Sequence, residues 1–326
     1  ILKVNDLKTS FKSRSGNIEA VRGVSFSVNQ GDILGIVGES GSGKSVLMKS
    51  VMNILPENAV IDNGEVIFSG KELLKLDEKV LKGIKGKDMA MIFQDPMSSL
   101  NPLKTVGYHL VEVLVRHKGM KKKEAKIKAI ELLKDVGIPM PEKRIDQYPH
   151  EFSGGMRQRV LIAMALACSP KLLIADEPTT ALDVTIQAQI LQLLKNLKDK
   201  SDMSVILITH DLGVVASLCN RIEVMYGGLI MEERTAEDIF YNPKHPYTKA
   251  LLNSIPKNHD EKTRLEPIKG SAPSLLNPPK GCPFAERCEF AMDKCFKEIP
   301  KYSNISDTQK SMCFLKMIFI ILVILV

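Results

Sequence analysis

The residues GESGSGKS, from Gly38 to Ser45, decide the fold. They satisfy the pattern G-x-x-x-x-G-K-[ST] and follow an apolar run of strand length, residues 32–37. Residues 46–52 then have the apolar spacing of an opening helix. Glycines let the loop curl so that successive N–H groups face phosphate oxygens, and the helix N-terminus adds partial positive charge. This succession of strand, loop and helix predicts a binding site for a nucleoside triphosphate.

Two side chains of this loop have distinct chemical roles. The ammonium group of Lys44 can reach the β- and γ-phosphates, and the Ser45 hydroxyl is placed for Mg²⁺. We expect the nucleotide to contact the whole loop and the residue after it, namely Gly38, Glu39, Ser40, Gly41, Ser42, Gly43, Lys44, Ser45 and Val46.

Two further buried-strand patterns end in polar residues. Residues 171–177 form an apolar run that ends in Asp176 and Glu177. An aspartate at a strand end suits Mg²⁺, and the next carboxylate can polarise the water that attacks the γ-phosphate. Residues 204–209 form another such run, followed by His210. Ligands of α/β sheets collect at the C-terminal ends of strands, so we predict that His210 senses the γ-phosphate. A surface or core histidine is the alternative.

Between the two phosphate-binding strands lies the segment FSGGMRQR, residues 152–159. It resembles the signature sequence of ATP-binding-cassette (ABC) transporter ATPases and departs from the usual form at its first and fifth residues. A serine and two glycines that open a helix form a second anion site. The resemblance implies that the signature closes over the γ-phosphate held by an opposing subunit. The signature residues are Ser153, Gly154, Gly155 and Met156.

Shorter motifs support the same resemblance. Gln94 matches the glutamine loop that joins the metal site to the membrane-facing subdomain, and Asp183 matches the D-loop. The family places an aromatic residue near adenine, for which Phe11 is the candidate, with simple core packing as the alternative. The resemblance implies catalytic roles for Lys44, Gln94, Glu177 and His210, and a Mg²⁺ site formed by Ser45, Gln94 and Asp176.

The implied fold class is α/β, an ABC-type P-loop NTPase with a mainly parallel sheet core. A small antiparallel sheet is predicted from partial alternation, with strands over residues 2–11, 23–30 and 64–70. A helical subdomain is predicted over about 96–165, an amphipathic helix over 185–200 and a hairpin turn at Tyr226-Gly227-Gly228. We expect an ABC ATPase domain over 1–235, a small cysteine-containing C-terminal extension over 236–316 and an apolar tail over 317–326.

Composition is consistent with a globular protein of 326 residues and net charge +7. Six lysines lie within residues 118–128. Apolar residues recur there at helical spacing (Ile127, Ile130, Leu133 and Val136), which favours an amphipathic helix with a solvated basic face over a lipid contact. No interleaving of basic and aromatic residues indicates a nucleic-acid partner. We identify neither a signal peptide nor an apolar helix of spanning length, and therefore expect separate subunits to provide any transport pathway.

The segment YNPKHPYTKALL, residues 241–252, indicates which kind of ABC transporter ATPase the chain resembles. It resembles the C-terminal region of oligopeptide and dipeptide importer ATPases, although a proline-rich linker is the alternative. The resemblance implies an ATPase peripheral to the cytoplasmic face of the cell membrane, which hydrolyses ATP to power uptake of di- and oligopeptides. The implied partners are a paralogous ATPase in a heterodimer, two transmembrane permeases and an extracytoplasmic peptide-binding protein. Nickel or another small solute remains an alternative cargo, and a non-transport ABC ATPase an alternative function.

The cysteines suggest a second site. Cys168 and Cys219 stand alone and are interpreted as inert core thiols. The other four are Cys282, Cys288, Cys295 and Cys313. In a cytosolic compartment such a set indicates a metal site rather than disulfides. The spacings are wider than those of usual zinc pairs and suit an iron–sulfur cluster as well or better. The resemblance implies a [4Fe–4S] cluster, with Zn²⁺ or no metal as the alternatives.

Overall fold

The computed structural model describes residues 1–95, 99–180, 182–254, 268–306 and 309–315. The predicted apolar tail, residues 317–326, lies outside them. The strands of the described chain are β1 (Leu2–Ser13), β2 (Gly16–Val28), β3 (Ile33–Val37), β4 (Ala59–Phe68), β5 (Lys71–Glu72), β6 (Met89–Ile92), β7 (Leu172–Asp176), β8 (Ser204–Thr209), β9 (Arg221–Tyr226), β10 (Leu229–Thr235), β11 (Ser303–Ser306) and β12 (Gln309–Ser311).

The α-helices lie between the strands, singly or in runs. They are α1 (Lys44–Val51), α2 (Glu78–Ile84), α3 (Val106–Lys118), α4 (Lys122–Asp135), α5 (Pro141–Arg144), α6 (Gly154–Leu166), α7 (Val184–Asp199), α8 (Leu212–Leu218), α9 (Ala236–Tyr241), α10 (Pro246–Asn253) and α11 (Asp293–Lys297). Several begin at a residue whose side chain accepts a hydrogen bond from the first turn, as Thr105 does for α3 and Thr235 for α9. No helix of the described residues is long and apolar enough to cross a membrane.

The chain folds into two compact units. Unit 1 comprises residue 1, residues 28–33 and residues 75–208. It contains parallel strands in the order β6, β7, β8, with Leu172 opposite both Met89 and Ser204. Every residue of β7 is buried, as expected for a strand of a parallel sheet that is covered on both faces. The region predicted to be a helical subdomain forms α3 to α6 in its described part.

Unit 2 comprises residues 2–27, 34–74 and 209–326. In this unit β3 lies parallel to β9, and β9, β10, β12 and β11 follow as antiparallel neighbours. Gly227 and Gly228 form the turn between β9 and β10 with φ of 55° and 79°, which confirms the predicted hairpin. The two strands that follow residue 300 therefore extend the sheet beyond β10. The predicted domain boundaries at 235 and 316 stay predictions.

A small antiparallel sheet has the order β2, β1, β4, β5, as predicted in kind but not in bounds. β4 begins at Ala59 rather than at 64, and β1 and β2 continue into residues expected to form a loop. The register of β1 against β4 shifts between Asn5 and Thr9. Gly64, with φ of 122°, permits this irregularity, because a Cβ there would lie 2.6 Å from the Cα of Leu7. Polar residues at the bulge interrupt the alternation of apolar and polar residues in β4, so the sequence pattern did not indicate where this strand begins.

Most of the lysine-rich segment lies in the first turns of α4, and its predicted apolar face is confirmed only in part, because Leu133 and Val136 are buried but Ile127 is not. The buried residues of this helix are Ala125, Ala129, Leu132 and Leu133, whereas Ile127 is 64% exposed. A strict spacing of three residues drifts around a helix of 3.6 residues per turn, so Ile127 and Val136 cannot share one face. The helix between 185 and 200 is confirmed as α7 and buries Ile190, Leu191 and Leu194.

Candidate active site

The phosphate-binding loop connects β3 to α1 in unit 2, as the motif requires. At two positions of the loop, close contacts with other backbone atoms leave no room for a side chain and therefore require glycine. Gly38 has φ of 151°, and a Cβ there would lie 2.0 Å from the carbonyl oxygen of Met225. Gly43 has φ of 100°, and its Cβ would lie 2.3 Å from the carbonyl oxygen of Ala20. Any side chain at these two positions would move the loop away from its supports.

The loop curls around the ammonium group of Lys44. The Lys44 Nζ donates hydrogen bonds to the carbonyl oxygens of Gly38, at 2.7 Å, and Glu39, at 2.9 Å. The side chain is buried, whereas Ser40 and Gly41 at the tip of the loop are exposed. A buried cation held by neutral carbonyls can exchange them for phosphate oxygens, which form stronger charge-assisted bonds. Ser45 and Val46 follow in the first turn of α1.

In unit 1, two carboxylates end β7. Asp176 is the last residue of the strand and is 2% exposed. Glu177 has a left-handed backbone, with φ of 46°, an unfavourable conformation for a residue with a side chain and one that often accompanies functional sites. Its Oε2 accepts hydrogen bonds from Gln94 Nε2, at 2.9 Å, and Thr180 Oγ1, at 2.8 Å. The structure thus brings together Gln94 and Glu177, and it adds Thr180, which the sequence did not single out.

The signature segment opens α6, also in unit 1. Ser153 is the N-cap of this helix, and its hydroxyl accepts a hydrogen bond from the Met156 N–H at 3.4 Å. Ser153 and Gly154 are exposed. Gly155 packs against α7, because a Cβ there would lie 2.6 Å from Ile186 Cγ2. Asp183 caps α7 by accepting from the Ile186 N–H at 2.9 Å. Signature and D-loop are therefore fixed to each other by direct packing, with an exposed helix N-terminus suited to an anion.

The remaining predicted nucleotide contacts lie in unit 2. His210 is exposed and directly follows β8. Phe11 is half-buried on β1, opposite Ala59. Its predicted contact with adenine stays a prediction, as do the individual roles assigned to the other site residues.

Residues far along the sequence also contact the phosphate-binding loop, and the sequence analysis missed them. The Glu39 N–H donates to Tyr247 Oη at 2.9 Å, and Glu39 Oε2 accepts from Arg287 Nη1 at 2.8 Å. Tyr247 belongs to the HPYT segment, and Arg287 lies among the cysteines of the extension. Both contacts are within unit 2. The only signal available in the sequence was that these two segments matched peptide importers and not ABC ATPases in general.

The four C-terminal cysteines line one cavity of unit 2. Cys282 and Cys295 are buried and Cys288 and Cys313 are half-buried. The remaining walls are mostly apolar and include Phe284, Phe290, Pro300, Phe314 and Leu315, with His245 as a polar member. Burial, together with a smaller contribution from the other three cysteines, raises the pKa of Cys282 to about 12. Such a thiol stays protonated at neutral pH unless a metal replaces the proton.

No group of three or more histidine, cysteine or acidic side chains in the described ranges is close enough together to hold a single metal ion. The chain thus has a convergence of four thiols in an apolar cavity without the tight grouping of a one-ion site. Cys168 and Cys219 lie apart from it and are buried, as predicted for core thiols. Burial raises the pKa of Cys219 to about 12, which agrees with an inert thiol.

Comparison with known proteins covers both parts of the chain. The profile of the ABC transporter family matches residues 21–180, and the profile of the oligopeptide/dipeptide transporter C-terminal region matches residues 231–295. The oligopeptide transport ATP-binding protein OppD of Bacillus subtilis (strain 168) is 54% identical over 310 residues, which cover 94% of this chain and 87% of that protein.

Other relatives and solved structures agree. The dipeptide transport ATP-binding protein DppD of the same organism is 53% identical, with 97% of this chain and 95% of that protein covered. OppD of Salmonella typhimurium (strain LT2) is 50% identical, covering 96% and 93%. Among solved structures, a dimeric post-hydrolysis state of the ATP-binding cassette MJ0796 bound to ADP and Pi has a TM-score of 0.65 and 30% identity. It covers 72% of this chain and 99% of that chain.

Proposed function

This chain belongs to the ABC family of oligopeptide and dipeptide transport ATP-binding proteins, and we propose that it hydrolyses ATP to power peptide uptake through separate permease subunits. The proposal rests on sequence identity. About half of the residues are identical to those of peptide-transport ATPases along nearly the whole chain, and this match includes the C-terminal region. Nickel remains the weaker alternative, because these relatives are named for peptides.

We assign phosphate binding to the loop of unit 2. Its N–H groups bind the phosphate oxygens, and Lys44 exchanges the carbonyls of Gly38 and Glu39 for the β- and γ-phosphates. Ser45 of unit 2 through its hydroxyl, and Asp176 and Gln94 of unit 1 through their carboxylate and amide oxygens, would each offer Mg²⁺ the hard oxygen donors that it prefers. Bound there, Mg²⁺ would supply positive charge to offset the negative charge that develops on the transferred phosphoryl group.

We assign water activation to Glu177. Its carboxylate already accepts two hydrogen bonds in unit 1, so its orientation is fixed before substrate arrives. One of the donors is Gln94, and movement of the glutamine loop would therefore change the environment of the catalytic carboxylate directly. His210 then steadies the γ-phosphate. Ser153, Gly154, Gly155 and Met156 act on the nucleotide of an opposing ATPase subunit, which we expect to be a paralogue.

The permeases are proposed to contact unit 1 beside Gln94. Phe93, the preceding residue, is 41% exposed and lines an apolar groove together with Met91, His117 and Met164. A partner that binds the exposed aromatic ring of Phe93 would also move the adjacent Gln94 and so change the ATP site. The similarity to oligopeptide and dipeptide transport ATP-binding proteins is the reason to place the ATPase peripherally at the cytoplasmic face of the membrane, with an extracytoplasmic binding protein that delivers peptide to the permeases.

The cargo is tested by uptake into vesicles. The chain is assembled with its paralogous ATPase and permeases in lipid vesicles whose exterior corresponds to the binding-protein side, and ATP is enclosed. Radiolabelled tetra-alanine and ⁶³Ni²⁺ are supplied separately with the binding protein. We expect accumulation of the peptide and none of nickel; the reverse pattern would transfer the assignment to a nickel importer.

At the four-cysteine cavity we propose a [4Fe–4S] cluster held by Cys282, Cys288, Cys295 and Cys313. Thiolates around one zinc ion lie about 3.8 Å apart, whereas thiolates bound to separate irons of a cluster lie further apart. The proposal rests on the four cysteines that line one mostly apolar cavity, since four thiolates are the ligand set that such a cluster takes. A bound cluster would cross-link the extension and could exchange an electron.

This proposal predicts the metal content of the purified chain. Protein prepared without oxygen should contain about four iron atoms and four sulfide ions, with broad visible absorbance. Cys295→Ser should lose most of the iron, while the control Cys168→Ser, at a buried thiol outside the cavity, should retain it. About one zinc per chain would favour the zinc alternative, and neither metal in fresh anaerobic protein would remove both.

A further inference from the structure

Glu39 is the second residue of the phosphate-binding loop, and four groups hold it. Its N–H donates to Tyr247 Oη, its carbonyl oxygen accepts from Lys44 Nζ and from the Ser42 N–H, and its carboxylate accepts from Arg287 Nη1. The contacts from Ser42 and Lys44 are local. Tyr247 and Arg287 lie 208 and 248 residues further along the chain. The C-terminal part of unit 2 therefore holds the loop from outside the ATPase motifs.

The guanidinium group of Arg287 is itself fixed. Its side chain is 6% exposed, and Nε and Nη2 donate to the carbonyl oxygens of Lys269, at 2.8 Å, and Ile268, at 3.1 Å. Nη1 also donates to Tyr226 Oη at 2.9 Å, in addition to Glu39. An ion pair whose cation is already immobilised loses little side-chain entropy on forming, unlike a pair between two mobile surface chains.

The charge of Glu39 matters because of where the residue lies. The loop presents N–H groups to phosphates that carry several negative charges, and a carboxylate on the same loop repels them. The Glu39 side chain is 26% exposed, so water screens this repulsion only in part. Arg287 opposes the repulsion with one positive charge placed 2.8 Å from the carboxylate.

We propose that Arg287 is a positioning residue of the ATP site, which holds and neutralises Glu39 and thereby sets the affinity of the loop for ATP. The residue lies in the turn Ala285–Arg287, between Cys282 and Cys288. It thus provides a physical connection from the cysteine segment to the nucleotide. The proposal goes beyond the assignment of an ATPase and does not require the cysteines to bind a metal.

The test is a charge cycle on the full chain, read as the dissociation constant of MgATP by displacement of a fluorescent ATP analogue. Arg287→Gln should weaken binding about fivefold, the effect of one charge at partly screened short range. Glu39→Gln should tighten binding by a similar factor, since Arg287 then faces the phosphates without its partner. The double variant should return to within about twofold of wild type.

Two further measurements separate positioning from a general loss of structure. Lys297→Gln removes one positive charge from an exposed position of the same extension and should leave the dissociation constant unchanged. In steady state, Arg287→Gln should raise KM with little change in kcat, because the charge acts on binding rather than on the transferred phosphoryl group. If the double variant binds as weakly as Arg287→Gln, or if Arg287→Gln binds like wild type, the proposal is wrong.

Discussion

Replacing Glu177 by glutamine is expected to lower ATP turnover about 10³-fold, the contribution typical of a well-placed general base, while ATP still binds. The amide oxygen of the new side chain can still accept from Gln94 or Thr180, so the local geometry persists without the basic carboxylate. ATP should therefore remain on the protein unhydrolysed. The measurements are steady-state phosphate release and retention of radiolabelled ATP by the purified chain.

A matched control makes this result specific. Glu142 is an exposed glutamate of α5 in the same unit, and Glu142→Gln carries the same chemical change without contact to the site residues. Its turnover should equal that of wild type. Turnover retained in Glu177→Gln would require a different base, and loss of ATP binding would mean that Glu177 organises the site rather than activating water.

Arg234→Met is expected to destabilise unit 2 by about 3–5 kcal/mol, the range for breaking a buried ion pair. The Arg234 side chain is 1% exposed and contacts Glu232, which is fully buried. It also donates to Asp238, to Gln309 of β12 and to the carbonyl oxygen of Asn242. Methionine fills much of the space but leaves the buried carboxylate of Glu232 without its cation. The measurement is the thermal unfolding temperature, which should fall by roughly 10 °C.

Two variants check the physical cause. Lys8→Met removes the cation of an exposed ion pair with Asp6 and should change stability by less than about 1 kcal/mol. Adding Glu232→Gln to Arg234→Met should recover part of the loss. The recovery is partial, because the N–H groups of Lys244 and His245 donate to the two separate oxygens of Glu232 at 2.8 and 2.9 Å, and the single glutamine oxygen can accept from only one of them in this geometry. No recovery would mean that packing, not the uncompensated charge, causes the loss.

The phosphate-binding loop could be predicted from sequence because its chemistry depends on neighbours along the chain. The loop glycines, the lysine and the following helix lie within fifteen residues, and the same holds for the capped signature helix and for the hairpin turn at Gly227-Gly228. In each case a local backbone requirement selects the residue type. Such requirements leave a direct trace in the sequence.

Contacts between residues far apart in the sequence could not be predicted in this way. Glu39 and Arg287 are 248 residues apart, and no pattern in either segment indicates that they are in contact. The polar residues Glu232, Glu233 and Arg234 likewise give no sign that they are buried. Segments from further along the chain pack on them: β12 places Gln309 against Arg234 and Lys310 against Glu233, and the backbone of Lys244 and His245 lies against Glu232. Charged residues in a strand normally indicate an edge that faces solvent. The sequence pattern therefore predicts that these three side chains are exposed, whereas the structure buries them.

The central claim is that this chain couples ATP hydrolysis to peptide import. The most direct test measures ATP turnover in lipid vesicles that contain the chain together with the paralogous ATPase and the two permeases that we propose as its partners, with the binding protein supplied either empty or loaded with peptide. The account predicts that the loaded binding protein stimulates turnover, and that Glu177→Gln in this chain sharply reduces the stimulated rate. Robust turnover by the chain that is indifferent to permeases and to peptide would contradict it.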